Sequence, residues 1–230
     1  MRSVWAVIVL AVPVLMGLST RSDAVPVAQR EFDWVLKRTP DVKRGEKIYD
    51  TCAACHGKDG EGVSDGTVPA IGGQHFTVLA KQLVDFRTGF RADPRMKHFS
   101  DVRFLAISQD IADVTAYISQ LPVPERKVPT PNGTSVRGAT LYSKSCARCH
   151  GESGQGNADQ LAPRLAAQHA DYLIRQLDDT QAGWRETMQE AHLSPLKGLS
   201  ATEVAEIAGY LSALDAAAPT QVSGRSNHPP

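Results

Sequence analysis

The chain has 230 residues, with 25 basic and 25 acidic side chains, so its formal net charge is zero. This balance excludes the strongly basic surface with which proteins bind nucleic acid or anionic membranes. Apolar residues make up 42% of the sequence. That fraction excludes disorder over most of the chain and is enough to bury one ordinary core or two small ones.

The first 24 residues have the pattern of an export signal. Arg2 provides a positive start, residues 4–18 form an apolar stretch, and the small residues at 22–24 provide a cleavage site. The apolar stretch contains Pro13 and is shorter than the roughly 20 residues that a membrane-spanning helix needs. We therefore expect residues 1–24 to be cleaved, the chain to be exported to the periplasm, and no stable transmembrane segment to remain.

An internal repeat organises the rest of the chain, after an N-terminal extension at 25–40. A shift of 94 positions superposes two copies of one module, and single-residue insertions change the shift to 93 elsewhere. Because this period far exceeds that of solenoid repeats, each copy is expected to be a self-contained lobe. The predicted lobes are residues 41–121 and 134–215, joined by a proline-rich linker at 122–133 and followed by a disordered tail at 216–230.

Each lobe is predicted to be helical, because apolar residues recur at helical spacing. The last segment of each lobe has the clearest stripe, formed by Ile111, Val114, Ile118 and Leu121 in the first copy and by Val204, Ile207, Leu211 and Leu214 in the second. Ser108 and Ser200 are the predicted N-caps of these segments, and Ser200 with Glu203 forms a capping box. The glycine- and proline-rich stretches between helices show no strand alternation, so the predicted class is all-α.

The cysteines occur as two identical motifs that indicate haem attachment. In Cys-x-x-Cys-His the two thiols add to the haem vinyl groups as thioethers, and the histidine faces the iron. The motif residues are Cys52, Cys55 and His56, and Cys146, Cys149 and His150. A redox-active dithiol or one shared zinc site are alternatives, but no βαβ pattern surrounds either motif, and each motif lies within its own repeat. We therefore predict two covalently attached haem c groups with His56 and His150 as proximal ligands.

The chain resembles the diheme cytochromes c4 and their tandem class I relatives. The likeness rests on Cys-x-x-Cys-His-Gly at 52–57 and 146–151, on Gly-Gly-Gln-His at 72–75 with Ala-Ala-Gln-His at 166–169, and on the ends at 110–117 and 203–210. It implies a periplasmic electron carrier with two tandem class I cytochrome c-like lobes, one haem per lobe and His/Met ligation.

The resemblance also implies where the first and last helices of each lobe cross: Gly45 or Tyr49 against Tyr117, and Gly138 or Tyr142 against Tyr210. It does not cover the extension at 25–40. Phe32 and Trp34 in that extension form either a partner-binding patch or, as the more ordinary explanation, a segment that packs across a lobe surface.

The distal iron ligands have two candidate pairs. Met96 and Met188 each lie 12 residues before a predicted helix cap, and Met is the usual second ligand of cytochromes c. His98 and His192 are the alternative, because they match at the same shift of 94 as the haem motifs. His75 and His169 also match at that shift, but each opens a helix, so we assign them a structural or capping role.

Two firm ligands on each iron would leave no open position for a substrate, so the expected function is transfer of single electrons between redox-partner proteins. No catalytic residues are predicted, and Arg91 and Arg185 are interpreted as haem-propionate or surface partners. The alternatives are a diheme enzyme, such as a peroxidase or sulfur-oxyanion oxidoreductase with one labile distal ligand, and the cytochrome subunit of a dehydrogenase complex.

Overall fold

A computed structural model describes residues 21–125, 135–185, 192 and 194–214, with side chains from residue 27 onward. These residues form two helical lobes and contain no β-strand, only an isolated bridge between Asn157 and Ala162. The prediction of an all-α chain with two tandem lobes is confirmed. The helices of the first lobe are α1 (Arg21–Leu36), α2 (Val42–His56), α3 (Phe76–Thr88), α4 (Pro94–Phe99) and α5 (Ser108–Gln120), and those of the second are α6 (Val136–Ser145), α7 (Ala147–His150), α8 (Ala170–Gln181) and α9 (Ala201–Ala213).

Each lobe has its own hydrophobic core around its last helix. In the first lobe Ile111, Val114 and Ile118 are buried on α5, and in the second Val204, Ile207 and Leu211 are buried on α9. These are the apolar stripes that the sequence predicts. The first core also includes side chains of α1, α2 and α3, whereas the second is smaller and is built mainly from α6, α8 and α9.

The first and last helices of lobe 1 cross at Gly45. A Cβ atom at this position would lie 2.1 Å from the carbonyl oxygen of Asp113 on α5, so only glycine permits the approach. One turn further along, the rings of Tyr49 and Tyr117 pack with centroids 5.3 Å apart. The Tyr49 hydroxyl then donates to the carbonyl of Gly57, 2.8 Å away, which fixes the end of α2.

Lobe 2 repeats this crossing. A Cβ atom at Gly138 would lie 2.2 Å from the carbonyl oxygen of Glu206, and the rings of Tyr142 and Tyr210 have centroids 5.7 Å apart. The Tyr142 hydroxyl donates to the carbonyl of Gly151 at 2.5 Å. The helix crossing implied by the resemblance is therefore confirmed in both lobes.

The N-terminal extension packs on lobe 1. Helix α1 buries Ala28, Phe32 and Val35 against α3 and α5, and Glu31 forms an ion pair with Arg87 of α3. Packing across the lobe is thus the role of Phe32, whereas Trp34 on the same helix is 54% exposed.

Of the two predicted caps, one is confirmed and one is wrong. The Ser200 hydroxyl accepts from the backbone N–H of Glu203 at the start of α9. Helix α5, however, begins at Ser108 itself, so Ile107 occupies the cap position. The carboxylate of Asp110, inside the helix, accepts from the Ile107 backbone N–H at 3.0 Å, which is the acidic half of a capping box.

Several predicted segments lie outside the described residues. They are the export signal apart from residues 21–24, most of the linker and the C-terminal tail. Within the part of the chain that the structure describes, no helix has both the length and the apolar character needed to cross a membrane.

We expect Gly45→Ala to destabilise lobe 1 by about 1–3 kcal/mol, since the new Cβ would force α2 away from α5. Denaturant unfolding followed by circular dichroism measures the change. Lys47→Ala, at an exposed position on the same helix, is the matched control and should change stability by no more than about 0.5 kcal/mol. Equal stability of the two variants would show that the crossing is not closely packed.

We expect acid to weaken the start of α9. Hydrogen bonds from Ser200 and an ion pair with Arg137 lower the pKa of Glu203 from 4.5 to about 2. A carboxyl whose pKa is lowered on folding stabilises the folded state above its unfolded pKa, and this contribution is lost as the pH falls from 4.5 towards 2. Glu203→Gln should therefore flatten the pH dependence of unfolding in this window, whereas Glu152→Gln, at an exposed site, should leave it unchanged.

Candidate functional site

The two Cys-x-x-Cys-His motifs lie at equivalent places in the two lobes. In lobe 1, helix α2 runs without interruption through Cys52 and Cys55 and ends at His56. In lobe 2 the helix breaks at Cys146, which has φ −120°, and the short helix α7 then ends at His150. Both histidines are buried, with 7% and 5% of their surface exposed.

A proline carbonyl orients each of these histidines. The Nδ1 atom of His56 lies 3.0 Å from the carbonyl oxygen of Pro69, and that of His150 lies 2.9 Å from the carbonyl oxygen of Pro163. A carbonyl can only accept, so Nδ1 carries the proton and Nε2 keeps its lone pair for a metal. Burial lowers the pKa of both rings, which favours this neutral form. The residues therefore fit the proximal side of a haem.

The cysteines do not fit either alternative chemistry. None of the four cysteines forms a disulfide. Burial raises the pKa of Cys52 to about 11 and that of Cys146 to about 11, whereas the reactive cysteine of a redox dithiol has a lowered pKa. Cys52 packs against the core of lobe 1 and Cys146 against the core of lobe 2, so the two motifs belong to separate cores.

The distal candidates of lobe 1 lie on the short helix α4. Asp93 caps this helix by accepting from the backbone N–H groups of Arg95 and Met96, at 2.9 and 3.1 Å. Met96 is half-buried. His98 is exposed, and its ring packs edge-on against two exposed aromatic rings, those of Phe99 and Phe104. Residues two positions apart on a helix point in different directions, so α4 cannot present both Met96 and His98 to one iron.

Lobe 2 has a different distal arrangement. The ring of His192 lies beside that of His150, with centroids 5.9 Å apart. Met188 lies outside the described residues. The two histidines that the repeat pairs therefore have different surroundings, since His98 packs on exposed aromatic rings and His192 lies beside His150.

A pair of arginines lies between the lobes. Arg91 of lobe 1 donates to the hydroxyl of Tyr172 and to the side-chain oxygen of Gln176, both at 2.6 Å, and Arg185 of lobe 2 donates to Gln82 at 3.4 Å. The Nε atom of Arg185 is buried and has no hydrogen-bond partner among the described residues. Burial, together with the charge of Arg91, lowers the pKa of Arg185 to about 10. An anionic group such as a haem propionate would satisfy these cations.

His75 and His169 do not cap their helices. Each occupies the N-cap position of α3 or α8 without a side-chain capping bond. Instead, the Nε2 atom of each ring bonds to a backbone carbonyl of the opposite lobe. The predicted structural role is therefore confirmed and the capping role is wrong, because each ring bonds to the neighbouring lobe, which sequence periodicity does not reveal.

Comparison with known families agrees with this geometry. The two lobes define a tandem haem protein, and a family model for cytochrome c matches residues 42–122 and again residues 135–215. The chain belongs to the cytochrome c family and contains two of its domains.

Individual relatives agree with the tandem arrangement. The chain is 30% identical to cytochrome c4 of Azotobacter vinelandii over 190 residues, which cover 76% of this chain and 89% of the relative. It is also 30% identical over 202 residues to a thiosulfate dehydrogenase electron acceptor of Stutzerimonas stutzeri, covering 77% and 89%. The crystal structure of reduced recombinant cytochrome c4 from Pseudomonas stutzeri superposes with a TM-score of 0.68 at 26% identity, covering 76% of this chain and all of that one.

These similarities confirm the resemblance to tandem cytochromes c4 and the presence of covalently bound haem c. Both cysteine pairs fit the attachment motif. The chain is therefore a diheme c-type cytochrome of the electron-carrier class.

We expect each haem to depend on its own lobe. Cys55→Ala should weaken or abolish haem retention in lobe 1 and spare lobe 2, since the motifs pack against separate cores. Mass spectrometry of the two attachment peptides measures the loss of one haem out of two. Ala54→Ser, between the two cysteines, is the matched control and should keep both haems. Loss of both haems from Cys55→Ala would indicate one shared core.

Proposed function

We propose that this chain is a periplasmic carrier that passes single electrons between redox-partner proteins. The observation that carries the proposal is the buried histidine at the end of each attachment motif, whose Nδ1 atom is held by a proline carbonyl. The expected export signal at 1–24 supports the periplasmic location.

The protein's contribution is to fix the ligands and to keep water out. Cys52, Cys55, Cys146 and Cys149 are the proposed attachment residues, and His56 and His150 the proposed proximal ligands. When bound, the haem iron takes up and releases one electron without forming a bond to a substrate. Nε2 of each histidine would hold the iron, and the proline carbonyl, which accepts from Nδ1, would raise the basicity of the ring. Burial of both rings excludes water from the proximal side.

For the distal side we propose Met96 in lobe 1 and Met188 in lobe 2. The half-buried position of Met96 supports the first assignment, and the exposure of His98 disfavours the alternative there. In lobe 2 the assignment rests on the repeat and on the usual Met/His ligation of cytochromes c. His192 is the alternative in this lobe, supported by its position beside His150.

One relative suggests a more specific role. It is named as the electron acceptor of a thiosulfate dehydrogenase. By analogy, a second candidate function is that of the electron-accepting subunit or partner of an enzyme that oxidises sulfur oxyanions.

Potentiometric titration of the purified ferric protein, followed in the haem absorption bands, tests the carrier function. Two one-electron steps are expected. After full reduction, the closed iron sites should leave the ferrous spectrum unchanged on addition of carbon monoxide. Stoichiometric binding of carbon monoxide or peroxide to the unmodified protein would overturn the proposal in favour of a diheme enzyme.

Reduction by thiosulfate distinguishes an electron acceptor of a thiosulfate dehydrogenase from an enzyme that itself oxidises thiosulfate. An acceptor should be reduced only when a thiosulfate dehydrogenase is also present. Reduction by thiosulfate alone, with turnover, would show that the chain itself is the enzyme.

We expect Met96→Ala to remove the near-infrared methionine–iron band of lobe 1, to lower the potential of that haem and to open its iron to carbon monoxide. His98→Ala, two residues further along the same helix, is the matched control and should keep the band. In lobe 2 the same pair of measurements compares Met188→Ala with His192→Ala. If the histidine variants open the irons while the methionine variants keep their spectra, the ligation is bis-histidine and the potentials are lower.

A further inference from the structure

A Gln-His dipeptide precedes the third helix of the first lobe and the corresponding helix of the second. The two copies, Gln74-His75 and Gln168-His169, match at the shift of 94. All four side chains bond to the backbone of the opposite lobe. The proposed electron-transfer function leaves these contacts unexplained.

Gln168 of lobe 2 binds both backbone groups of Ala70 in lobe 1. Its Oε1 atom accepts from the Ala70 N–H at 3.0 Å, and its Nε2 atom donates to the Ala70 carbonyl at 2.8 Å. Ala70 directly follows Pro69, whose carbonyl accepts from His56. The loop that orients the proximal histidine of lobe 1 is thus held by a side chain of lobe 2.

Gln74 does the same in the other direction. Its Oε1 atom accepts from the backbone N–H of Arg164 at 2.9 Å, and its Nε2 atom donates to the Arg164 carbonyl at 3.0 Å. Arg164 follows Pro163, the residue whose carbonyl accepts from His150. The arrangement is therefore reciprocal, with each lobe holding the proximal loop of the other.

The histidine of each dipeptide adds a second attachment. Nε2 of His169 donates to the carbonyl of Glu61 at 2.8 Å, and the next residue, Gly62, donates its N–H to the carbonyl of His56 at 2.8 Å. His56 is thus held through its ring by Pro69 and through its backbone by Gly62. The neighbours of these two residues, Ala70 and Glu61, are the ones that bond to lobe 2. In the other direction, Nε2 of His75 donates to the carbonyl of Gln155 at 2.9 Å. The next residue, Gly156, donates its N–H to the carbonyl of His150 at 2.7 Å.

We propose that Gln74 and Gln168, with His75 and His169, are positioning residues for the haem of the opposite lobe. They hold the proline carbonyl in place and so set the strength of its hydrogen bond with the proximal histidine. That bond makes the imidazole a stronger ligand and stabilises the ferric state. The reduction potential of each haem therefore depends on a glutamine in the other lobe. This inference rests on the proposed function, since it requires His56 and His150 to be axial ligands.

The test uses Gln168→Leu and Gln74→Leu in the full diheme protein. Leucine has a similar size but neither a donor nor an acceptor, so the opposite loop loses both bonds. We expect Gln168→Leu to raise the potential of the lobe 1 haem and to leave that of lobe 2 unchanged, and Gln74→Leu to do the reverse. Redox titration measures both potentials, and the step that Cys55→Ala abolishes belongs to lobe 1.

Hydrogen–deuterium exchange locates the effect along the chain. Gln168→Leu should accelerate exchange in residues 61–72 of lobe 1 but not in residues 155–166 of lobe 2. Gln160→Leu, an exposed glutamine of lobe 2, is the matched control and should alter neither exchange nor potential. His169→Phe removes the bond to the Glu61 carbonyl while keeping the Gln168 side chain, and it should show the same crossed pattern if Gln168→Leu fails to fold.

A shift confined to the mutated lobe, an equal shift of both haems, or no shift would overturn the proposal. If wild-type protein shows two haems and two one-electron steps without the crossed effect, this inference alone fails. If the wild-type protein lacks those steps, the proposed function fails first.

Discussion

Each lobe depends on the close approach of its first and last helices at a glycine. The approach brings the backbone of α2 against that of α5 at Gly45, and the tyrosine one turn later donates to the carbonyl of Gly57, the residue after His56. The crossing therefore fixes the point at which α2 ends and the position at which His56 enters the lobe. The same set of contacts in lobe 2 places His150, even though its helix is interrupted at Cys146.

Features that depend on spacing along one chain segment could be predicted from the sequence. The attachment motifs, the stripe on α5 and the glycine crossings all follow from residue order within one copy of the repeat or from its family resemblance. The predicted cap at Ser108 is wrong, because Ile107 occupies the cap position and the carboxylate of Asp110 accepts from the Ile107 backbone N–H.

The interface between the lobes could not be predicted in this way. The repeat pairs Gln74 with Gln168 on the sequence, but periodicity within a lobe carries no information about which side faces the other lobe. The available signal is the pairing itself, since polar residues that match between two copies of a module are candidates for a symmetric contact. Arg91 and Arg185 carry the same signal, and both bond across the interface.

The repeat is preserved on the proximal side and broken on the distal side. Pro69 and Pro163 orient the two histidines at nearly equal distances, whereas His98 and His192 have unrelated surroundings. The hydrogen bonds to His56 and His150 are alike, so the two sites differ instead at His98 and His192, at the arginine pair and at the helix break at Cys146. Arg185 adds to this asymmetry, since burial makes its charge costly.

The chemistry of the interface suits a protein whose charge changes during function. The ion pairs that Arg44, Lys81, Arg87 and Arg137 form with carboxylates each join residues of one lobe. The Gln-His contacts across the interface are hydrogen bonds of neutral amides, and burial lowers the pKa of His75, which keeps its ring neutral. Bonds between neutral groups respond less to salt and to a unit change of charge on a nearby iron than ion pairs do. The Gln-His contacts are therefore less sensitive to a change of oxidation state at either iron than the contacts that Arg91 and Arg185 make across the same interface.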